Sequence, residues 1–307
     1  MKKQRHGWLN VCKPANIGSG EFSRIIKKIL RAKKVGHAGT LDPFAEGVLP
    51  IAIGEATKVI NYVQNREKTY EFDLAFGKKS DTGDRDGKFI QSTEVLPTKE
   101  AIDAMIPEFI GEIEQVPPVY SALRINGKRA YEIARSGEDL TLQARKVKIY
   151  DLKLLSFDFS GKVAKFIVKC GKGTYIRSLG SDLAERLGSL GYISALTRLQ
   201  VGFFSIKETI SLEKMKELVH NGELEESLLS ISDVLDDILA INFSEDGAQA
   251  ILHGNPVALP KDLFADTNAD DCVLAKFGEE PLALGRIDNA YFKPIRVFNL
   301  NVIINHK

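Results

Sequence analysis

The sequence predicts an α+β fold, and three observations carry that expectation. Residues 19–31 repeat apolar side chains at helical spacing. Residues 70–76 and 162–170 alternate apolar and polar side chains as half-buried strands do. Residues 241–307 break into short strands and turns of the kind that build a small β-barrel. The chain has 307 residues, 44% hydrophobic and 27% charged, an ordinary globular composition with room for one large and one small domain. We place the boundary between residues 240 and 241.

The elements follow in order. Ser19 is an N-cap type residue, and Phe22, Ile25, Ile26, Ile29 and Leu30 then form one apolar stripe. "GHAGTLDPFAEGVLP", residues 36–50, holds too much Gly and Pro for regular structure and is expected to be a loop. In "YEFDLAF" the side chains of Tyr70, Phe72, Leu74 and Phe76 share a strand face. "KKSDTGDRDGK" follows as a polar turn. It superficially looks like a calcium loop, but with Gly87 sixth the first and twelfth positions are Thr82 and Thr93, where Asp and Glu are needed. Residues 98–110 are expected to be helical up to Pro107, and 145–156 and 162–170 to be strands. Ala164, Phe166, Val168 and Cys170 share a face of the second. "GKGTYIRSLGSDLAERLG" is a glycine turn entering a helix whose stripe is Ile176, Leu179, Leu183 and Leu187. The acidic segment 211–240 is expected to be helical.

Composition narrows the functional classes. Three scattered cysteines with no C-x-x-C spacing suggest neither a disulfide framework nor a zinc site. No apolar run approaches a membrane span, and the basic N-terminus lacks a signal-peptide core, so a cytoplasmic protein is expected. The net charge of +1 conceals an uneven distribution. Residues 24–34 contain Arg24, Lys27, Lys28, Arg31, Lys33 and Lys34 and no acid. Such a run is either a solvated helix face or a surface for phosphates.

A lone carboxylate, Asp42, stands in the apolar 36–50 stretch. Asp before Pro is ordinarily a turn or cap residue; the alternative is a nucleophile or base on a rigid loop at a pocket floor. A carboxylate in a dry pocket needs a cationic partner, and Arg177, just after a glycine turn, is the best candidate, although a surface salt bridge is its plain alternative. Tyr70 and Tyr175 are either core residues or platforms for a base. His37 is either an ordinary loop histidine or a contact to an unstacked nucleotide. "YSALRINGKRAYEIAR" interleaves Arg124, Lys128, Arg129 and Arg135 with Tyr120 and Tyr131, a mixture suited to RNA or to an ordinary amphipathic segment.

Taken together, "VGHAGTLDPFAEGVLPIAIGEATK", "KTYEFDLAFGKKSDTGDRDG", "PPVYSALRINGKRAYEIAR" and "CGKGTYIRSLGSDLAERLG", in this order across residues 7–204, resemble the tRNA pseudouridine synthases that act on uridine 55 of the T-loop, the TruB family. The resemblance implies a mixed, largely antiparallel sheet with flanking helices and a central cleft, followed by a small PUA-like β-barrel. It implies catalysis by Asp42, Tyr70 and Arg177, and contact with the substrate by His37, Tyr70, Tyr175, Leu196, Lys13 and Pro14. It also implies RNA-backbone contact by Lys27, Lys28 and Arg31, and by Arg124, Lys128 and Arg129 in a thumb over residues 120–148. The reaction it implies is an isomerisation, which calls for no cofactor and no metal. The partner is the T-arm of tRNA, with no guide RNA and no membrane, and the protein is expected to be a monomer. One motif departs from the family pattern Asp-Lys-Pro-x-Gly-x-Ser/Thr-Ser: here "CKPANIGS" keeps Lys13, Pro14 and Ser19 but has Cys12, Asn16 and Gly18. The alternatives are a tRNA-binding or folding protein with weak or lost catalysis, a guide-dependent relative and, more remotely, a glycosidase, which would want two carboxylates across a sugar.

Overall fold

The computed structural model describes residues 4–121, 123–125, 128–129, 133, 142–260 and 272–300. Its centre is a nine-stranded sheet. Seven strands run across it in the order β1 (Gly7–Lys13), β3 (Glu46–Ile53), β12 (Gly191–Val201), β4 (Lys68–Phe76), β11 (Val163–Cys170), β10 (Arg145–Asp158) and β7 (Gly111–Gln115). Short strands β2 (Val35–His37) and β13 (Phe204–Ser205) add to β3 and β12. All pairings are antiparallel except β3 with β12, which touch in parallel through Thr197–Glu46 and Arg198–Gly47.

The alternating strands behave as their patterns require. Tyr70, Phe72, Leu74 and Phe76 on β4 and Ala164, Phe166, Val168 and Cys170 on β11 are all buried. Phe72 and Phe166 stack with ring centroids 5.2 Å apart. This face is covered by the helix Ile176–Arg186, through Ile176, Leu179 and Leu183, and by Ile102 and Met105 of the helix Lys99–Met105. Thr98 caps the latter by accepting from Ala101 N, and Pro107 falls in a tighter turn, Ile106–Phe109. On the reverse face Lys165 pairs with Glu71 and Asp73. The helix α1 (Ser19–Leu30) buries Phe22, Ile26 and Leu30 against Leu9, Val11, Met215 and Leu218, and leaves Lys27, Lys28 and Arg31 exposed.

Two expectations are corrected, and one strand was not foreseen. The stretch 36–50 is not all loop: β2 and β3 flank a turn of residues 38–45. Pro50 is tolerated inside β3 because its side of the strand faces neither β12 nor β2 at that point, and its carbonyl accepts from Ala38 N. The segment 211–240 holds one helix, Leu212–Asn221, which stops at Gly222 with φ 80°. Beyond it the chain runs beside β1, where Trp8 and Leu229 exchange two backbone hydrogen bonds. Strand β1 itself lies in the basic N-terminal stretch that gave no strand signal. It is buried on both faces, so its side chains do not alternate.

The C-terminal residues form a five-stranded sheet in the order β14 (Leu239–Asn242), β16 (Val273–Phe277), β17 (Glu280–Asp288), β18 (Tyr291–Val297) and β15 (Val257–Ala258). Among the described residues this sheet is open, and the closed barrel expected from the sequence is not seen. It docks on the larger sheet through Leu274, Leu284 and Phe298 against Trp8, Val48 and Ala52. Lys58 Nζ donates to Val297 O at 2.7 Å across this contact. Of the expected thumb, Arg124–Ile125 and Lys128–Arg129 pair as a short hairpin; most of 122–141 lies outside the described residues.

Candidate active site

The turn 38–45 carries Asp42, and three side chains from elsewhere hold its backbone. Ser19 Oγ, at the start of α1, donates to Leu41 O at 2.9 Å and accepts from Leu41 N at 2.8 Å. Lys13 Nζ donates to Pro43 O at 3.3 Å and to Pro14 O and Ile17 O at 2.8 Å each. Arg198 closes the two ends of the turn, donating from Nη2 to Gly39 O at 3.0 Å and from Nε to Val48 O at 2.7 Å. Gly47 lets β3 come this close: its φ is 104°, and a Cβ there would lie 2.3 Å from Arg198 O. Each of these bonds satisfies a main-chain group that the turn would otherwise leave open, so the turn is rigid without being regular.

Arg177 reaches Asp42 across 135 residues of sequence: Nη2 donates to Oδ1 at 3.0 Å, and Nε lies 2.9 Å from Oδ2. The arginine is 4% exposed, whereas the Asp42 side chain is 32% exposed and open to the cavity. Arg177 also donates to Thr82 O and Tyr120 O, and its Nη1 is 3.5 Å from Oδ2 of a second carboxylate, Asp84. Asp84 belongs to the polar turn that resembled a calcium loop. Its Oδ1 accepts from Thr82 Oγ1 and Asp86 N. Burial pushes the Asp84 carboxyl upward, opposed by Thr82 and Arg177. One guanidinium is therefore shared by two carboxylates, a network strengthened by the low local dielectric.

Asp42 and Arg177 line a cavity of about 340 Å³ together with Tyr70, Tyr175, Leu196 and Arg198. Tyr70 is 8% exposed, and burial raises its phenol, with Arg198 acting in the opposite direction. Tyr175 begins the helix Ile176–Arg186, and its backbone N donates to the buried Gln115 Oε1 at 2.7 Å. Thus five of the site residues read from the sequence, Asp42, Tyr70, Tyr175, Arg177 and Leu196, meet in one place. His37 ends β2, two residues before Gly39 on the cavity wall. Lys13 and Pro14 do not line it. Lys13 is fully buried beneath the turn, its ammonium pulled down to about 8 chiefly by burial, and Pro14 is exposed. The exposed Lys27, Lys28 and Arg31 also lie away from the cavity lining, and the side chains of Arg124, Lys128 and Arg129 lie outside the described residues.

Sequence reasoning missed Ser19, Lys68, Asp84 and Arg198 as site residues. The retained Ser19 of the N-terminal motif was a usable signal; for buried cations such as Lys68 and Arg198 on strands there was none. The altered motif is also explained. Asn16 adopts φ 65°, a conformation Asn accepts better than most residues that carry a Cβ, and its N donates to Pro43 O at 2.7 Å. Gly18 is the N-cap of α1 and supplies no side-chain cap. Asn16 thus takes a left-handed conformation that a Gly also adopts without strain, while Gly18 leaves α1 without a side-chain cap.

Residues 27–176 match the family model described as "TruB family pseudouridylate synthase (N terminal domain)". The chain is 42% identical over 301 residues to tRNA pseudouridine synthase B of Ehrlichia canis, covering 97% of this chain and 99% of that protein. It is 43% identical over 293 residues to the protein of the same name from Rickettsia bellii, covering 95% and 98%. Among solved structures, the fold is similar to a chain of a Cbf5-Nop10-Gar1 complex, with a TM-score of 0.73 at 24% identity over 95% of this chain and 84% of that one. It is similarly close to a chain of an H/ACA RNP bound to a substrate RNA containing 2′-deoxyuridine, with a TM-score of 0.72 at 23% identity over 96% and 85%. The chain belongs to the TruB family of pseudouridine synthases.

Proposed function

We propose that this protein isomerises uridine to pseudouridine at position 55 in the T-loop of tRNA, acting directly on the tRNA with Asp42 as the catalytic carboxylate. The observation that carries this reading is the pairing of Asp42 with Arg177 at a cavity whose other walls are Tyr70 and Leu196. A cavity with an aromatic face, an aliphatic face and one accessible carboxylate suits a flipped pyrimidine nucleotide. Extracting the base from its stack costs about a few kcal/mol. The exposed Lys27, Lys28 and Arg31 offset that cost with phosphate contacts.

In this reaction the C1′–N1 bond of uridine breaks and its electron pair stays on the uracil. Asp42 either bonds to C1′, in a bond that breaks when C5 later attacks C1′, or removes the C2′ proton and returns it to C2′ at that stage. The detached uracil turns, C5 bonds to C1′, the C5 proton leaves and N1 is protonated, so substrate and product are isomers. Arg177 holds Asp42 in place, and Tyr70 offers a face on which the base can stack and turn. Residues 1–240 are the catalytic domain, and 241–307 a PUA-like unit that contacts RNA.

The test is an unmodified tRNA transcript labelled at the T-loop uridine, incubated with the protein and digested to nucleotides. Pseudouridine at that site alone, absent with Asp42→Asn, is the expected result. Tight tRNA binding with unchanged uridine would overturn the catalytic reading in favour of an RNA-folding protein.

A further inference from the structure

Two more cations face the same cavity, and neither has a carboxylate partner among the described residues. Lys68 is 7% exposed and Arg198 is 1% exposed, and both line the cavity. Lys68 Nζ donates to Gln64 O at 2.5 Å and Arg66 O at 2.6 Å, while Arg198 donates to Gly39 O and Val48 O. The groups acting on the Lys68 ammonium are Arg198, Lys172 and the Cys170 thiol, and the thiol is itself pushed up to about 11 by burial and so is neutral at pH 7. Arg177 differs, since Asp42 and Asp84 both answer its charge. Arg198 also meets the Tyr70 phenol, but burying two like charges among neutral partners alone is costly, and an enzyme recovers that cost when a substrate brings the opposite charge.

Position identifies the charge. Tyr70 is the register partner of Arg198, and Lys68 lies two residues before Tyr70 on the same face of β4. The two cations therefore neighbour, on the same side of the sheet, the tyrosine on which the base is expected to stack. A backbone phosphate must stay near the mouth of the cavity, because the RNA chain continues into solvent; the base enters deepest. We propose that Lys68 and Arg198 receive the negative charge that develops on the uracil when its C1′–N1 bond breaks. The pair of electrons left on N1 spreads to O2 and O4, which accept from these cations until C5 attacks C1′. This rests on the activity proposed above and adds to it two residues that stabilise the departing base rather than the sugar.

The test compares Lys68→Gln with the unaltered protein in single turnovers at saturating enzyme, on tRNA carrying either uridine or 5-fluorouridine at the target position. The readout is loss of the starting nucleoside, with tRNA affinity measured separately. Fluorine withdraws electrons and stabilises the departing anion unaided, so the protein's cation should matter less. Lys68→Gln is expected to slow uridine loss by about 100-fold but 5-fluorouridine loss by less than about tenfold, with tRNA affinity within about threefold. Equal slowing on both substrates would make Lys68 a structural residue and overturn the proposal. So would a large loss of affinity with an unchanged saturated rate, the mark of a phosphate contact. If Lys68→Gln does not fold, Arg198→Lys, which keeps a charge but moves it, is read against the same two substrates by the same criteria. Failure of the unaltered protein to convert uridine would overturn the activity itself, which this control separates from failure of the cation assignment alone.

Discussion

Two Gly- and Asp-bearing turns meet at one arginine and hold their carboxylates in opposite states. In the turn 38–45 the Asp42 side chain is 32% exposed, faces the cavity, and has Arg177 as its ion-pair partner. In the turn 81–86 the Asp84 side chain is 7% exposed and already takes hydrogen bonds from Thr82 and Asp86. The difference teaches which carboxylate is free to meet a ligand. Asp42 retains accessible lone pairs, and its backbone, rather than its side chain, is what Ser19, Lys13 and Arg198 fix. Asp84 commits Oδ1 to its own turn and turns Oδ2 to Arg177, so its oxygens are taken up in orienting that arginine.

The most direct way to break this comparison is to exchange the outcomes of the two aspartates. Asp42→Asn is expected to lower pseudouridine formation by a factor of about 10⁴ or more while leaving tRNA binding in place, as read by nucleotide digestion and a binding titration. Arg177→Met removes the charge both turns share. It should abolish measurable turnover and cost about 3–5 kcal/mol in a denaturant melt, because it strands a buried carboxylate. Asp84→Asn should reduce turnover by about ten- to a hundredfold through loosened positioning of Arg177.

Asp84→Asn should not cost stability at neutral pH. Burial raises the Asp84 carboxyl above its unfolded value, so the folded state binds the proton more tightly than the unfolded state does. This group's contribution to stability therefore falls as pH rises from the unfolded value through the folded one, and stays low above it. Removing the charge relieves that burden, and a melting temperature at pH 7 equal to or above that of the unaltered protein is the expected result. A sharply lowered one would mean that the Arg177 attraction outweighs burial.

Smaller changes sharpen the contrast from the side of the backbone. Ser19→Ala unpairs both polar groups of Leu41 and should cost about 1–3 kcal/mol, with turnover falling more than tRNA affinity. Gly18→Ser restores the missing cap of α1 in space that is open around a Cβ. A gain of a few tenths of a kcal/mol, seen as a slightly higher denaturation midpoint, is expected, with turnover unchanged.

How much of this was legible in the sequence depends on the range of the interaction. The strand faces of β4 and β11, the stripe of α1 and the helix that presents Arg177 obey local periodicities and appear where those periodicities put them. The pairing of Asp42 with Arg177 was legible from chemical need combined with motif resemblance, since an accessible carboxylate in an apolar pocket requires a cation. Strand β1 was not, because burial on both faces erases alternation. The break at Gly222 was legible in principle, as a glycine stop signal, but not the path beyond it, which the pairing of Leu229 with Trp8 sets along the sheet.

The sequence by itself determined the helices and strands with one covered face, the pairing of Asp42 with Arg177 and the family, because side-chain spacing and motif order encode these directly. The tertiary structure alone decided the rest. It made Asp84 the second claimant on Arg177, set Lys68 and Arg198 against the cavity with no carboxylate partner among the described residues, and turned Lys13 into an anchor under the turn that carries Asp42. Each of these rests on which charges end up together in a poorly solvated interior. Such a balance depends on distance and dielectric across the folded sheet, neither of which is present in the order of the residues.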